Sequence, residues 1–293
     1  MAIKIQEALQ QAVAQIEQTK VQTPLLDAEV LLCHVLDLDR LYLYLQRNQE
    51  LTYRQWEQYT AFVDKRVMGV PVQYIIHKQE FMGLDFYVEE GVLIPRPDTE
   101  ILVETIIQWT QKNMHQQEGI TIVDLGTGSG GITVSLAKYI PNAFVHSVDI
   151  SPKALKIGMK NAESHGVKER TQFLQGDLFG PLEKAQMQNK VDILVSNPPY
   201  IPKDEIDKLQ VEVAKYEPRL ALDGGIDGLD FYRRIIDAGY IFLKNDGFIG
   251  LEVGHDQADA VKRLMEEKGT YKAIEKIKDL AGIERVVTGV VEK

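Results

Sequence analysis

The chain has 293 residues, a mass of 33.2 kDa, 44% hydrophobic residues and a formal net charge of −10, enough for one large or two modest domains with a well-buried core. The acidic balance, with a pI near 5.2, excludes a free-standing binder of duplex DNA, which carries a basic footprint. A single cysteine, Cys33, excludes an intramolecular disulfide, and no run approaches the ~20 apolar residues of a bilayer span.

The opening Met1-Ala2-Ile3-Lys4-Ile5-Gln6-Glu7 is charged and lacks a cleavable apolar core, so a soluble cytoplasmic protein is expected, neither secreted nor membrane-inserted. Ile5, Ala8, Leu9, Ala12, Val13 and Ile16 then recur at i, i+3, i+4 spacing and predict a first helix. Leu25, Leu26, Val30, Leu32, Val35 and Leu36 predict a second, in which Cys33 is expected to be an inert buried thiol. Thr52 is placed to cap a further helix, with Gln55 as its capping-box partner, and Gly69 and Pro71 stop it. Residues 1–73 therefore read as an all-helical domain. From 74 to 95 the pattern turns β-like, through Tyr74-Ile75-Ile76 and then Phe81 to Val88, and predicts a hairpin linking the domains. Its rigid end, Ile94-Pro95-Arg96-Pro97-Asp98-Thr99, is read equally as a capped linker and as a wall of the active site.

Residues 96–293 alternate between strands at 120–125, 143–149, 171–176, 191–196 and 247–253 and helices near 130–139, 152–165, 228–243 and 256–268. Such alternation predicts an α/β domain with a parallel sheet, helices on both faces and ligands at the carboxyl ends of the strands. The chemistry-bearing residues fall at those ends. Val123-Asp124-Leu125-Gly126-Thr127-Gly128-Ser129-Gly130-Gly131 sits between strand and helix, where glycines admit a cofactor close to the backbone. Asp149, 23 positions beyond Gly126, ends the next strand and can take both ribose hydroxyls of NAD or of S-adenosylmethionine. Two features favour the second. Asp124 could face a methionine amino group, and Asp177 with Leu178 ends the third strand beside the expected adenine; acidic groups are the wrong lining for a pyrophosphate.

After the fourth strand comes Asn197-Pro198-Pro199-Tyr200. Two prolines fix two φ angles and remove two donors, so a carboxamide and a ring are held rigidly just past a buried strand. The Asn197 carboxamide and the proline carbonyls can accept hydrogen bonds from a planar amide-like nitrogen, and Tyr200 offers it a flat face. Taken alone, the stretch reads first as a plain Pro-rich turn; the Gly-rich motif upstream overturns that reading.

Asp124-x-Gly-x-Gly-x-Gly, Asp149, Asp177 and Asn197-Pro-Pro-Tyr200, in this order, resemble the class I (Rossmann-like) S-adenosylmethionine methyltransferases that modify planar or amide nitrogens. Phe81–Phe86, Leu93–Glu100, Glu217–Leu222, Gly224–Gly228 and Asp279–Arg285 narrow the resemblance to the HemK/PrmC family, weakly over the first ~70 residues and strongly from Phe81 on. That resemblance implies a protein-(glutamine-N5) methyltransferase acting on the Gly-Gly-Gln motif of class 1 peptide chain release factors, in support of translation termination. S-adenosyl-L-methionine would be the cofactor and S-adenosyl-L-homocysteine its product.

The implied cofactor residues are Asp124, Gly126, Thr127, Gly128, Ser129, Gly130, Asp149, Asp177, Leu178 and Asn197. The implied catalytic and substrate-binding residues are Asn197, Pro198, Pro199 and Tyr200. Leu178 stands where some relatives carry a bulkier aromatic. A closing hairpin at 271–291 would add the family's antiparallel strand. A monomer without stable nucleic-acid or membrane binding is expected, with the helical domain, the hairpin and the 202–226 loop contacting the protein substrate.

Two other readings compete. An N6-adenine methyltransferase could seat a flipped base in the same Asn-Pro-Pro-Tyr site, but it calls for a basic groove that this acidic chain lacks. A non-catalytic cofactor-binding module would have no need of Asn197 or Tyr200. No metal site is expected, since Glu252-x-x-His255 lacks the second histidine of the zinc pattern.

Overall fold

The computed structural model describes residues 3–19 and 21–293, so Met1 and Ala2, at which the expected helical domain begins, lie outside the described residues. Contacts divide the chain into two units. One comprises residues up to Lys78 together with Leu209–Glu217, and the other Gln79–Lys208 with Pro218–Lys293.

The first unit is built from helices α1 (Ile5–Ile16), α2 (Pro24–Leu36), α3 (Arg40–Leu45), α4 (Tyr53–Val67) and α5 (Val72–Ile76), with short strands β1 (Ile3–Lys4) and β2 (Glu50–Leu51) pairing antiparallel. The periodic residues Ile5, Ala8, Ala12 and Ile16 meet Leu31, Leu32, Tyr59 and Val63 in one core. Thr52 and Gln55 form the expected capping box on α4. Cys33 is only half-buried, and burial with the nearby Glu29 raises its thiol pKa.

Tyr74-Ile75-Ile76, expected to be β-like, is helical instead. Val72 and Ile75 lie i, i+3 on the core face of a single turn that Pro71 begins and His77 ends in the left-handed region; periodicity cannot decide so short an apolar run. The return of Leu209–Glu217 to this unit was also not legible. Arg66, almost fully buried, bonds Asp27 at 2.6 Å, Glu212 at 2.6 Å and the Val70 carbonyl at 3.1 Å, and so closes the unit with a charge cluster.

In the second unit, β3 (Gln79–Phe81) and β4 (Leu84–Phe86) make an antiparallel hairpin, followed by α6 (Pro97–Asn113). Then come β5 (Ile120–Leu125), α7 (Gly131–Tyr139), β6 (Ala143–Asp149), α8 (Pro152–Ser164), β7 (Thr171–Gln175), α9 (Gly180–Lys184) and β8 (Val191–Ser196). The chain ends with α10 (Asp230–Phe242), β9 (Leu243–Glu252), α11 (Ala258–Lys268), β10 (Tyr271–Lys278) and β11 (Glu284–Val291). The seven-stranded sheet has the order β10-β11-β9-β8-β5-β6-β7, and β11 alone runs against the direction of the other six strands.

Because every second residue of a strand points to the same face, β5 sends Ile120 and Ile122 into one core with Leu102, Ile106 and Val134. Val123 and Leu125 enter the other, with Tyr232, Ile235 and Val261. Helices thus cover both faces, which is why the strands read as near-continuous apolar runs. The sheet order reverses at β5, between β6 and β8, and at such a switch point loops part and leave a crevice.

Candidate active site

That crevice is a cavity of about 350 Å³, within the roughly 300–1,000 Å³ of small-molecule sites. Its lining includes Gly126, Thr127, Gly128 and Ser129 after β5, Asp149 after β6, Asp177 and Leu178 after β7, and Asn197, Pro198 and Pro199 after β8. Four strand ends therefore bring together most of the residues singled out by sequence. Asp124, Gly130 and Tyr200 do not line it.

Asp124 is fully buried beneath the loop. Its Oδ2 accepts from the hydroxyls of Thr133 at 2.6 Å and Thr127 at 3.2 Å, while Oδ1 has no partner. Burial, opposed by those two hydroxyls, pushes its pKa up to about 6. It shapes the loop from below. Gly130 is a packing residue: its φ is +86° and a Cβ there would lie 3.0 Å from Gly158 Cα, so a glycine capping α7 and one within α8 let the two helices approach. Gly131, one residue on, lines the cavity in its place.

Asp149 receives the Gly128 amide on Oδ2 at 2.9 Å and the Ser151 amide on Oδ1 at 2.8 Å. Burial raises its pKa, and these amides oppose the rise. An ionised carboxylate has about four acceptor sites, so each oxygen keeps room for a hydroxyl. The bond from Gly128 also bears on which cofactor fits. A loop amide that would cradle a pyrophosphate is already committed to the carboxylate, and the donor set suits a ribose diol better than a dinucleotide.

Asp177 is held by Arg234 at 2.5 Å, both at the cavity rim. With Ile150, Leu178 and Phe231 also in the lining, apolar side chains and this ion pair meet at one end of the cavity. Together these features fit S-adenosylmethionine: carboxylate for ribose, apolar walls for adenine, open loop for the amino-acid part. Arg234 and Phe231, from α10, were not singled out by sequence, since nothing in a polar helix start announces which face turns to a cavity. The Pro95–Thr99 segment does contribute its wall, through Pro95, Arg96 and Thr99.

The Asn197 Nδ2 group donates to Thr99 Oγ1 at 3.1 Å. Behind both stands Glu252, the last residue of β9 and 1% exposed. Burial pushes its pKa up to about 7; the Thr99 hydroxyl, Arg285 and the Asn197 amide oppose the rise, while Asp98 adds to it. Its Oε2 has no partner. Sequence reading considered Glu252 only as a metal ligand and missed this contact.

Tyr200, expected to present its ring to substrate, packs into the core beside Gly254, where a Cβ would stand 3.4 Å from its Cδ2. Its carbonyl accepts from Gln257 Nε2 at 2.8 Å. The Gly224–Gly228 segment explains this fixity, since a Cβ on Gly228 would lie 2.3 Å from the Tyr200 oxygen and one on Gly224 2.7 Å from its Cα. Tyr200→Phe is therefore expected to stay within about threefold of wild-type activity, because the ring supplies packing. Tyr200→Ala should lose on the order of 2 kcal/mol in stability, read by urea unfolding; equal stability of the alanine variant would contradict the packing role.

Two buried carboxyls with raised pKa values also set a direction for stability. Asp124 and Glu252 hold their protons more tightly when folded than when unfolded, so their contribution to stability is fullest below about pH 4 and is lost as pH rises through about 6 and 7. Asp227, Asp259 and Asp279, held low by their Arg or Lys partners, act below that window. Unfolding free energy should fall by on the order of 2 kcal/mol between pH 5 and 8, and Glu252→Gln should flatten that slope. Urea titrations at both pH values check it, and a flat wild-type profile would refute it.

Comparison with known proteins follows this geometry. Residues 7–76 match the family model described as PrmC N-terminal domain, and residues 116–270 one described as methyltransferase domain. The release factor glutamine methyltransferase of Clostridium acetobutylicum is 42% identical over 98% of this chain and 99% of its own. That of Moorella thermoacetica is 42% identical over 96% of each. Among solved structures, a methyltransferase from Pyrococcus furiosus shares the fold at 15% identity and a TM-score of 0.50, over 72% of this chain and 91% of that one. Similarity at this level, sustained from the helical unit to the closing hairpin, means that the chain belongs to the release factor glutamine methyltransferase family.

Proposed function

We infer that this chain transfers a methyl group from S-adenosyl-L-methionine to the side-chain amide nitrogen of the glutamine in the Gly-Gly-Gln motif of class 1 peptide chain release factors. The observation that carries the reading is a proline-fixed carboxamide, Asn197, lining the same cavity as the ribose-type carboxylate Asp149. The full-length relatives named for that activity support the choice of glutamine over adenine.

The bound cofactor supplies an electrophilic methyl group on a sulfonium centre. The residues must deal with a poor nucleophile, because an amide nitrogen shares its lone pair with its carbonyl. Asn197 Oδ1 and the Pro198 carbonyl accept the two amide hydrogens, orient the nitrogen and favour its pyramidalisation. Positioning of this kind contributes, in the best intramolecular models, on the order of 7–11 kcal/mol. Pro198 and Pro199 keep the acceptors still and add no competing N–H. As the N–C bond forms, the S–C bond of the sulfonium breaks with its electron pair staying on the departing thioether, and the nitrogen gives up one hydrogen as a proton to solvent water.

The test is mass spectrometry of the Gly-Gly-Gln peptide from purified release factor after incubation with this protein and S-adenosylmethionine. One methyl group on glutamine is the expected result, and an unmodified peptide with full cofactor binding would overturn it.

The helical unit carries no chemistry of its own, and its α3 leaves Leu41, Tyr44 and Leu45 at 66%, 59% and 69% exposed. Exposed apolar side chains gathered on one short helix suit a protein partner, so this unit is read as the holder of the release factor body. Replacing Leu41 and Leu45 by Ser should raise KM for the intact factor about tenfold and leave cofactor affinity unchanged. An unaltered KM would remove α3 from recognition.

A further inference from the structure

A carboxamide is nearly symmetric in shape but opposite in chemistry at its two ends. For Asn197 to receive an amide hydrogen, Oδ1 must face the cavity; the reversed rotamer would set N–H against N–H. The polar groups behind Asn197 decide between the two. One Nδ2 hydrogen goes to Thr99 Oγ1 at 3.1 Å, and because Ser196 pairs with Leu251 across β8 and β9, the next residue, Glu252, comes up beside Asn197, where the Thr99 hydroxyl and the Asn197 amide hold its pKa down. Thr99 and Glu252 are 5% and 1% exposed, so water cannot substitute for either. An ionised carboxylate only accepts. Beside Asn197, such a carboxylate can draw the Thr99 hydrogen toward itself, leaving the Thr99 oxygen to accept from Asn197, and can take the second Nδ2 hydrogen.

We propose that Glu252 is a positioning residue for methyl transfer: acting through Thr99 and directly on Asn197, it fixes the carboxamide with Oδ1 toward the substrate amide. This rests on the reading of function above and adds to it the group that orients the acceptor. Protonation of Glu252 turns it into a donor and removes the preference, so the orientation is lost as pH falls through the carboxyl's pKa of about 7. The other groups facing it are Asp98 at the start of α6, which raises that pKa, and Arg285 on β11, which lowers it and is itself held by Asp98 at 3.0 Å and Asp279 at 2.9 Å. Tyr200 and Tyr232 also face it and stay neutral, their pKa values raised by burial. Arg285, with its pKa raised, and the two tyrosines keep their charge states through neutrality.

The test has two arms on the full-length protein. In the first, the side-chain amide signal of Asn197, assigned by its loss in Asn197→Ala, is followed by ¹⁵N NMR from pH 5.5 to 8.5. It should titrate with a midpoint near neutrality in the wild type and not in Glu252→Gln; a signal that ignores pH, or titrates alike in both, overturns the proposal whatever the substrate. In the second arm, Thr99→Val and Glu252→Gln should lower kcat for release factor methylation about tenfold with cofactor KM unchanged. Thr99→Ser should restore the rate, and Glu252→Gln should lose the wild-type decline in kcat below neutral pH. Wild-type kcat and pH profile in both variants would overturn the positioning role while methylation by the wild type still stood. If the wild type methylated nothing, the functional reading would fail and the NMR arm would still decide the orientation.

Discussion

Asn197→Ala is expected to cut single-turnover methylation of release factor on the order of 100-fold or more, the scale of losing one preorganised polar contact to a reacting group. Cofactor affinity should change far less, because the residues proposed for ribose and adenine, Asp149 and Asp177 with Leu178, lie at the ends of other strands. The physical reason is the rigidity of the mount. Asn197 follows a strand buried at every position, Val191–Ser196, and is followed by two residues whose φ angles are fixed. Alanine leaves that backbone in place and removes only the carboxamide. It also frees the Thr99 hydroxyl and Glu252, so fold must be checked by circular dichroism and thermal unfolding. A well-folded Asn197→Ala enzyme at the wild-type rate would reduce Asn-Pro-Pro-Tyr to a turn.

Much of the methyltransferase sheet was legible because its signals are local. β5, β6 and β8 each end where an apolar run meets a Gly, Asp or Asn-Pro motif, and their observed bounds coincide with the expected ones at 120–125, 143–149 and 191–196. β9 was expected at 247–253 and begins earlier, at Leu243, because its first residues bond at the edge of β8 with a register shift at Asp192. What could not be read depends on partners distant in sequence. Nothing near Tyr200 shows that Gly224 and Gly228 clamp its backbone, and nothing near Gly130 shows that Gly158 will lie against it. Glu252 is a carboxylate at a strand end like Asp149. Only its burial behind Thr99 separates a residue that orients a side chain from one that lines the cavity.

The same separation governs the two acidic residues of the Gly-rich region. Asp124 is spent inside the fold, on two threonine hydroxyls, whereas Asp149 looks into the cavity and at the same time ties down the Gly128 amide. Asp149→Ala is therefore expected to do two things at once: remove the acceptor proposed for the ribose diol, and release the Gly128 and Ser151 amides that hold the loop and the start of α8. Hydrogen bonds to a charged group contribute about 1.5–3 kcal/mol each, so S-adenosylmethionine should bind on the order of 100-fold more weakly by calorimetry. Asp149→Asn keeps one acceptor oxygen and cannot satisfy both amides and both hydroxyls; its loss should fall between, near tenfold. At saturating cofactor the rate of methyl transfer should recover most of the way, since Asn197 and the prolines are untouched. If Asp149→Ala bound the cofactor with wild-type affinity, the carboxylate would be a tether for the loop and the ribose would have to be held elsewhere.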